Sequence, residues 1–212
     1  MVKMKKPFTI YSYIIRNDLG FSPNPFWGVC TLACCKPIIR RTAKVGDWVV
    51  GIRGKGLYNK LKLPKPTDPF EEYGIVYAMK VTKKLSFDEY FDQFPEKQPN
   101  FGKGETIFKR GDNIYKPLGN GEYVQLKSRH TIPNQPKDLS GKYVILSNEF
   151  YYFGSNPIRI PDNMRVLICG RGHKCHTDKA LKGSFLDYIS SNKLGISERP
   201  SLWNEHDNSW KQ

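Results

Sequence analysis

The chain has 212 residues, of which 34 are Lys or Arg and 20 are Asp or Glu, giving a formal net charge of +14. With 39% hydrophobic and 13% aromatic residues, such a chain can bury roughly 70% of its unfolded surface, which excludes a disordered polypeptide and a disulfide-held miniprotein. At about 150 residues per domain, the length predicts a single unit over 1–212 with a core over about 8–190.

The run Phe8 to Ile15, rich in β-branched and aromatic residues, predicts a first strand. Asn17-Asp18-Leu19-Gly20 and Ser22-Pro23-Asn24-Pro25 read as loop, because Pro and Asn so spaced forbid regular structure. Gly28 to Ile39 suggests a short helix interrupted at Pro37, and Trp48 to Ile52 a strand fed by the Val45-Gly46-Asp47 turn. Trp48 is expected in the core. Arg53 to Leu63 and Pro64 to Pro69 read as one long exposed loop; Glu72 to Lys83 is a strong strand, and Ser86 is placed to cap a helix ending near Phe94. Composition then shifts to Pro, Gln, Lys and Gly, marking 95–110 as an insertion or lid. Gly119-Asn120-Gly121 is a hairpin signal between Ile114-Tyr115 and Tyr123 to Leu126. Lys142 to Ser147 and Phe150 to Phe153 add two strands, and 178–191 predicts a helix with Thr177 as N-cap and Phe185, Leu186 and Ile189 as its apolar stripe. The tail over 192–212 shows no period.

No apolar run approaches the ~20 residues needed to cross a bilayer. The basic start through Lys6 imitates a signal n-region, but Arg16-Asn17-Asp18 stops it without a cleavage site, so a cytoplasmic protein without membrane partners is expected. Five cysteines, an odd number at irregular spacing, read as free thiols. Clustered cations make a polyanion the expected partner, because Lys and Arg that meet phosphates release counterions.

The run Asn24-Pro25-Phe26-Trp27-Gly28-Val29-Cys30-Thr31-Leu32-Ala33, with Lys36 to Arg41 and Val45 to Gly51, resembles the opening of the second nucleotide-modification-associated domain family. Gly111 to Tyr115, Leu139 to Gly154 and Gly170-Arg171-Gly172-His173 fit the same family. The resemblance implies an association with DNA base modification in bacteria and their viruses, and names no reaction. Val45 to Ile52, Gly74 to Val81 and Ser86 to Tyr90 are more loosely similar to PUA-like barrels of the EVE and ASCH groups, which bind modified bases or RNA. The expected fold class is α+β, a small curved β-barrel or sheet with flanking helices.

Two loops carry most of the chemistry. In Arg16 to Lys36, Phe26 and Trp27 offer stacking faces and Asn24 and Asp18 can read base edges, although the same Asn-Pro-Phe-Trp-Gly run would also make a structural corner. In Gly170 to Lys174, two glycines let the backbone approach a ligand while Arg171 and Lys174 neutralise a phosphate. Arg40, Arg41 and Arg110 are further phosphate candidates, and Asn113 a base contact on a turn that Asp112 and Asn113 would equally form for structure alone. His173 or His130, with Asp112 or Asp18, supplies a candidate acid–base pair. Cys30 or Cys34 is a conceivable attacking thiolate beside Lys36 and Arg40, against the plainer reading of small buried residues. The spacing of Cys169, His173, Cys175 and His176, even joined by Cys34 and Cys35, matches no common zinc site, so neither metal nor other cofactor is expected.

The leading expectation is therefore a protein that binds DNA or a modified nucleotide, with RNA as an option, and recognises a modified nucleobase. The rivals are an enzyme that processes a nucleotide with a His/Asp pair, and a phage or bacterial protein acting through a protein partner.

Overall fold

A computed structural model describes residues 7–203; the basic start with Lys3, Lys5 and Lys6, and the last residues with Trp210, lie outside them. In chain order the elements begin with β1 (Ile10–Ile15), β2 (Cys30–Leu32), α1 (Pro37–Thr42), β3 (Trp48–Arg53), α2 (Lys55–Lys60) and β4 (Gly74–Lys80). There follow β5 (Lys83–Leu85), α3 (Phe87–Gln93), α4 (Thr106–Lys109), β6 (Tyr115–Pro117), β7 (Tyr123–Gln125) and α5 (Gln135–Leu139). The chain closes with β8 (Val144–Ser147), β9 (Glu149–Tyr152), β10 (Lys174–His176), α6 (Lys179–Ser190) and β11 (Gly195–Ile196).

Six strands form the main sheet in the order β10-β1-β3-β4-β9-β11, with β1 parallel to β3 and β3, β4 and β9 antiparallel in turn. Alternation along β3 explains why it is central: Trp48, Val50 and Ile52 face a core shared with Phe185 and Ile189 of α6, while Val49 faces the opposite core with Tyr13, Tyr77 and Met79. A bulge between Gly51 and Ile52 re-registers β3 against β4, and Gly51 is fixed there because an added Cβ would lie 2.2 Å from the Tyr77 ring. The second core is roofed by the sheet β2-β8-β5 and by the β6–β7 hairpin, whose turn carries Gly119 and Gly121 at positive φ.

The fold is α+β with an open sheet, not a closed barrel. Its edges, β10 and β11, have three and two residues and pair only inward, which is too little strand to close the sheet on itself. Ser86 caps α3 in a complete capping box with Glu89, as its spacing predicts. Elsewhere the local reading shifts. The helix expected across Gly28 to Ile39 is strand β2, a turn, and then α1 starting at Pro37, where the missing N–H costs nothing. Part of the loop expected over 53–63 is helix α2, and α6 is capped by Asp178, not Thr177, with the carboxylate accepting from Leu181 N at 2.7 Å. No helix among the described residues is long and apolar enough to cross a membrane.

Candidate catalytic cleft

The tight turn between β2 and α1 holds two residues in the left-handed region, Cys35 (φ 59°) and Lys36 (φ 40°). Each costs about 1–3 kcal/mol for a side chain with a Cβ, so the turn persists only because its surroundings hold it. Arg40, fully buried in α1, does much of this: its guanidinium donates to the carbonyls of Cys35 (2.7 Å), Tyr143 (2.7 Å) and Asp138. Gly141 permits the arrangement, because an added Cβ would stand 2.5 Å from the guanidinium carbon. Asp138 Oδ1 accepts from Cys35 N at 2.7 Å, and Asp112 Oδ2 accepts from Ala33 N at 3.3 Å. The half-buried Cys35 side chain is thereby set at a strand-to-helix corner.

His130 stands over that corner. It follows the β6–β7 hairpin, its carbonyl accepts from Ser128 Oγ at 3.0 Å, and Asn134 caps the next turn by accepting from Thr131 N at 2.9 Å. Its Nε2 lies 3.4 Å from Cys35 Sγ and its Nδ1 lies 2.5 Å from Asp138 Oδ2, which also accepts from Tyr115 Oη at 2.8 Å. Phe21 packs edge-on to the imidazole, with centroids 5.2 Å apart. Burial pulls the His130 cation down, but Asp138 and then Cys35 outweigh it and carry the pKa up to about 9. Burial likewise pushes the Asp138 carboxyl up, and the His130 hydrogen bond and charge overcome it, leaving it below its ordinary value. The result is a sulfur, an imidazole and a carboxylate in successive contact, the set of groups from which an activated nucleophile can be built.

These groups line a cleft of about 1090 Å³. Six cations also line it, Arg16, Lys36, Lys55, Arg129, Lys137 and Arg171, against one carboxylate, Asp138. Lys36 lies 4.2 Å over the Tyr13 ring and donates to Gly172 O at 3.4 Å, reaching across the mouth to the Gly170 to His173 loop. His173 lines the same cleft, and burial followed by Lys36 lowers its pKa. A chamber of this size and sign suits an anionic small molecule or a nucleotide projecting from a polymer.

Of the residues singled out in the sequence, His130, His173 and Arg171 meet in this cleft. Several others are structural. Asp18 is buried and accepts from Tyr152 Oη, Ser201 N (2.7 Å) and Ser201 Oγ (2.8 Å), which ties down the last described segment. Asn24 is buried, donates to the carbonyls of Gly20 and Arg110, and accepts from the buried Lys97, so no base edge reaches it. Asp112 is buried and accepts from Tyr90 Oη (2.6 Å) and Thr31 Oγ1 (2.8 Å), which removes it as a partner for either histidine. Burial raises the carboxyls of both Asp18 and Asp112. Asn113 donates to Tyr90 O and Phe94 O, and buried Arg110 to Trp203 O. Arg40 is enclosed by the carbonyls it serves, so it offers a phosphate nothing.

Phe26 is buried between Trp27 and Trp203, with centroids at 5.7 and 5.6 Å, and Lys97 Nζ stands 5.6 Å over the half-buried Trp27 ring. That is the structural corner, not a free stacking platform. Lys97 anchors the start of the expected insertion at 95–110 by donating to Asn24 Oδ1 and Val29 O, each at 2.8 Å, while 102–105 stay exposed. Arg41 and Lys174 are exposed and donate to Ser140 O (3.0 Å) and Ile168 O (3.2 Å).

Two residues of this cluster, Cys35 beside His130 and Asp138 behind it, do not stand out in the sequence as partners. The signal available was a cysteine just before a Lys-Pro helix start, followed far downstream by a His and an Asp eight residues apart. Cys34, one residue earlier, is fully buried, and burial raises its thiol well above the usual range. One atom each of Cys34, His130 and Asp138 lies within 4.8 Å of the others, close enough for a metal. Both His130 nitrogens already face partners, however, and Cys34 Sγ donates to Asp112 O at 3.7 Å, so an ion would have to displace the contact of the nitrogen it took and that of Cys34.

The family described as nucleotide modification associated domain 2 matches residues 7–207. No curated protein and no solved structure matches the chain.

Proposed function

The chain belongs to the nucleotide modification associated domain 2 family, and from that premise we propose that it is a thiol enzyme acting on a nucleotide, with Cys35 as nucleophile. The alignment of Cys35 Sγ, His130 and Asp138 inside a cationic cleft carries this reading. In it, the proton of the Cys35–His130 pair rests on His130 Nε2, which the raised His130 pKa favours, while Sγ attacks, and Nε2 gives that proton to the leaving group. Asp138 keeps the imidazole oriented and stabilises its cation. Arg40 acts as a positioning residue through the Cys35 and Asp138 carbonyls. Arg16, Lys36, Lys137 and Arg171 face the substrate's phosphate or phosphates.

The test is product analysis by mass spectrometry after incubating wild type and Cys35→Ser with nucleotides and with DNA carrying unmodified or modified bases. The expected result is turnover by wild type that falls by roughly 10³-fold or more in Cys35→Ser. Equal turnover by the two, or base-selective, salt-sensitive binding without any product, would replace the enzyme with the other reading, a base-binding module.

A further inference from the structure

We propose that the reaction at Cys35 is acyl transfer through a thioester on Sγ, and that the substrate is an amide or ester borne by a phosphorylated nucleotide. The inference rests on the thiol-enzyme reading above and adds the chemical class.

Three observations carry it. The first is the corner itself: a nucleophile between a strand and a helix, on a turn of two left-handed residues, is the arrangement that lifts a side chain clear of its own backbone for attack on a carbonyl. The second is the proton path. His130 touches the sulfur with one nitrogen and the carboxylate with the other, so the proton its Nε2 carries can pass to a departing nitrogen or oxygen and be replaced in the next half-reaction. A thioester suits that cycle because it remains open to a second attack.

The third is what the turn lacks for the rival chemistry. Cys35 and Arg41 have the Cys-x5-Arg spacing of enzymes that form phosphocysteine, which would need a loop of backbone N–H groups around the sulfur and the arginine facing it. Residues 37–42 are helical instead, Pro37 has no N–H, and Arg41 donates to Ser140 O. Phosphate is thus recognised beside the sulfur but not attacked by it. Arg16, Lys36, Lys137 and Arg171 line the cleft with no carboxylate pairing to them among the described residues. The like charges of Arg16 and Lys137 add to burial in lowering the Lys36 pKa, so an incoming anion relieves repulsion already present.

The step balances without an external oxidant or reductant. With the pair's proton on His130 Nε2, Sγ bonds to the acyl carbon, and the C–N or C–O bond breaks as the leaving atom takes that proton. A water then gives a proton to the neutral Nε2 as its oxygen bonds to the acyl carbon, and the S–C bond breaks to restore the Sγ–Nε2 pair with that proton. A nucleotide amine in place of water would give transfer in place of hydrolysis.

The probe is nitrophenyl acetate, with acid quench, intact-mass analysis and peptide mapping. Expected are a burst of one equivalent of nitrophenolate and one acetyl group on the Cys35 peptide, removed by neutral hydroxylamine. Both should vanish in Cys35→Ser and in His130→Ala, with the melting profile of each variant recorded beside it. Inorganic phosphate should slow the acylation of wild type, and less so that of an Arg16→Gln/Lys137→Gln variant. Acetylation confined to Cys175, acetylation of Cys35 that is indifferent to His130, or halide release from a bromopyrimidine nucleotide without any acyl-enzyme would overturn the proposal. Nucleotide turnover that needs Cys35 but never traps an acyl group would sink acyl transfer alone, whereas turnover that ignores Cys35 would remove the thiol-enzyme reading with it.

Discussion

Replacing Asp138 by Asn tests the electrostatics of the cleft more sharply than any truncation, because the amide keeps the volume and an acceptor oxygen while removing the charge. In the native protein, Asp138 Oδ2 lies 2.5 Å from His130 Nδ1 and outweighs the burial that pulls the imidazolium down, giving a pKa of about 9 against an ordinary 6.5. Without that charge, burial is opposed only by Cys35, and the His130 pKa should fall to 6.5 or below. A shift of this size corresponds to on the order of 3 kcal/mol of differential interaction. Because the folded-state pKa is raised, the stabilisation is fully present below the unfolded value and is lost as pH rises through about 9. The wild type should therefore lose on the order of 3 kcal/mol of folding stability across that window, and Asp138→Asn should lose little there. NMR titration of the histidine ring protons reads the pKa, and denaturant unfolding on either side of the window reads the stability. A His130 resonance that titrates near 6.5 in the wild type, or that Asp138→Asn does not move, would show that Asp138 does not hold the imidazolium.

Further perturbations separate structure from chemistry. Asp112→Ala should cost about 3–5 kcal/mol in unfolding free energy, because it leaves the buried Lys97 without its largest favourable charge partner. A loss under 1 kcal/mol in denaturant titrations would contradict the structural role. Cys34→Ser should lower stability by about 1–3 kcal/mol by putting a hydroxyl in the core, yet leave Cys35 acylation intact; loss of acylation with the fold retained would move the nucleophile to Cys34. Gly154→Ala should destabilise by about 2–4 kcal/mol, since Gly154 has φ 52° and an added Cβ would lie 2.2 Å from Arg199 O. An unchanged melting temperature would show that the segment around Arg199 and Ser201 is not held against Gly154 as described.

The main sheet was legible because its strands obey simple rules. Trp48 to Ile52 and, within Glu72 to Lys83, Ile75 to Met79 carry the apolar runs, Ser86 and Glu89 make their box, and Gly119-Asn120-Gly121 turns the hairpin. The site was less legible, for two physical reasons. Polar residues in turn-like sequence, Asn24, Asp112 and Asn113 among them, read as exposed ligand contacts, yet inside the core Asn24 and Asn113 donate to backbone carbonyls, Asn24 accepts from Lys97, and Asp112 accepts from Tyr90 and Thr31. Cys35 and Lys36 lie in a conformation their own side chains disfavour, so local propensity argues against the turn; Arg40 and Asp138, remote in sequence or hidden in a helix, impose it. The loops that bring His130, His173 and Arg171 together were identifiable as polar and Gly-rich, whereas their convergence on Cys35 depends on packing that no single segment encodes.

Alkylation kinetics resolved by peptide show most directly whether Cys35 is an activated nucleophile. Cys175 is the more exposed thiol, with its pKa raised by burial and by Asp47. At neutral pH, iodoacetamide should nonetheless modify the half-buried Cys35 first, and His130→Ala should abolish that preference with the fold retained. Modification of Cys175 ahead of Cys35 in the wild type, or a Cys35 rate that His130→Ala leaves unchanged, would contradict the account.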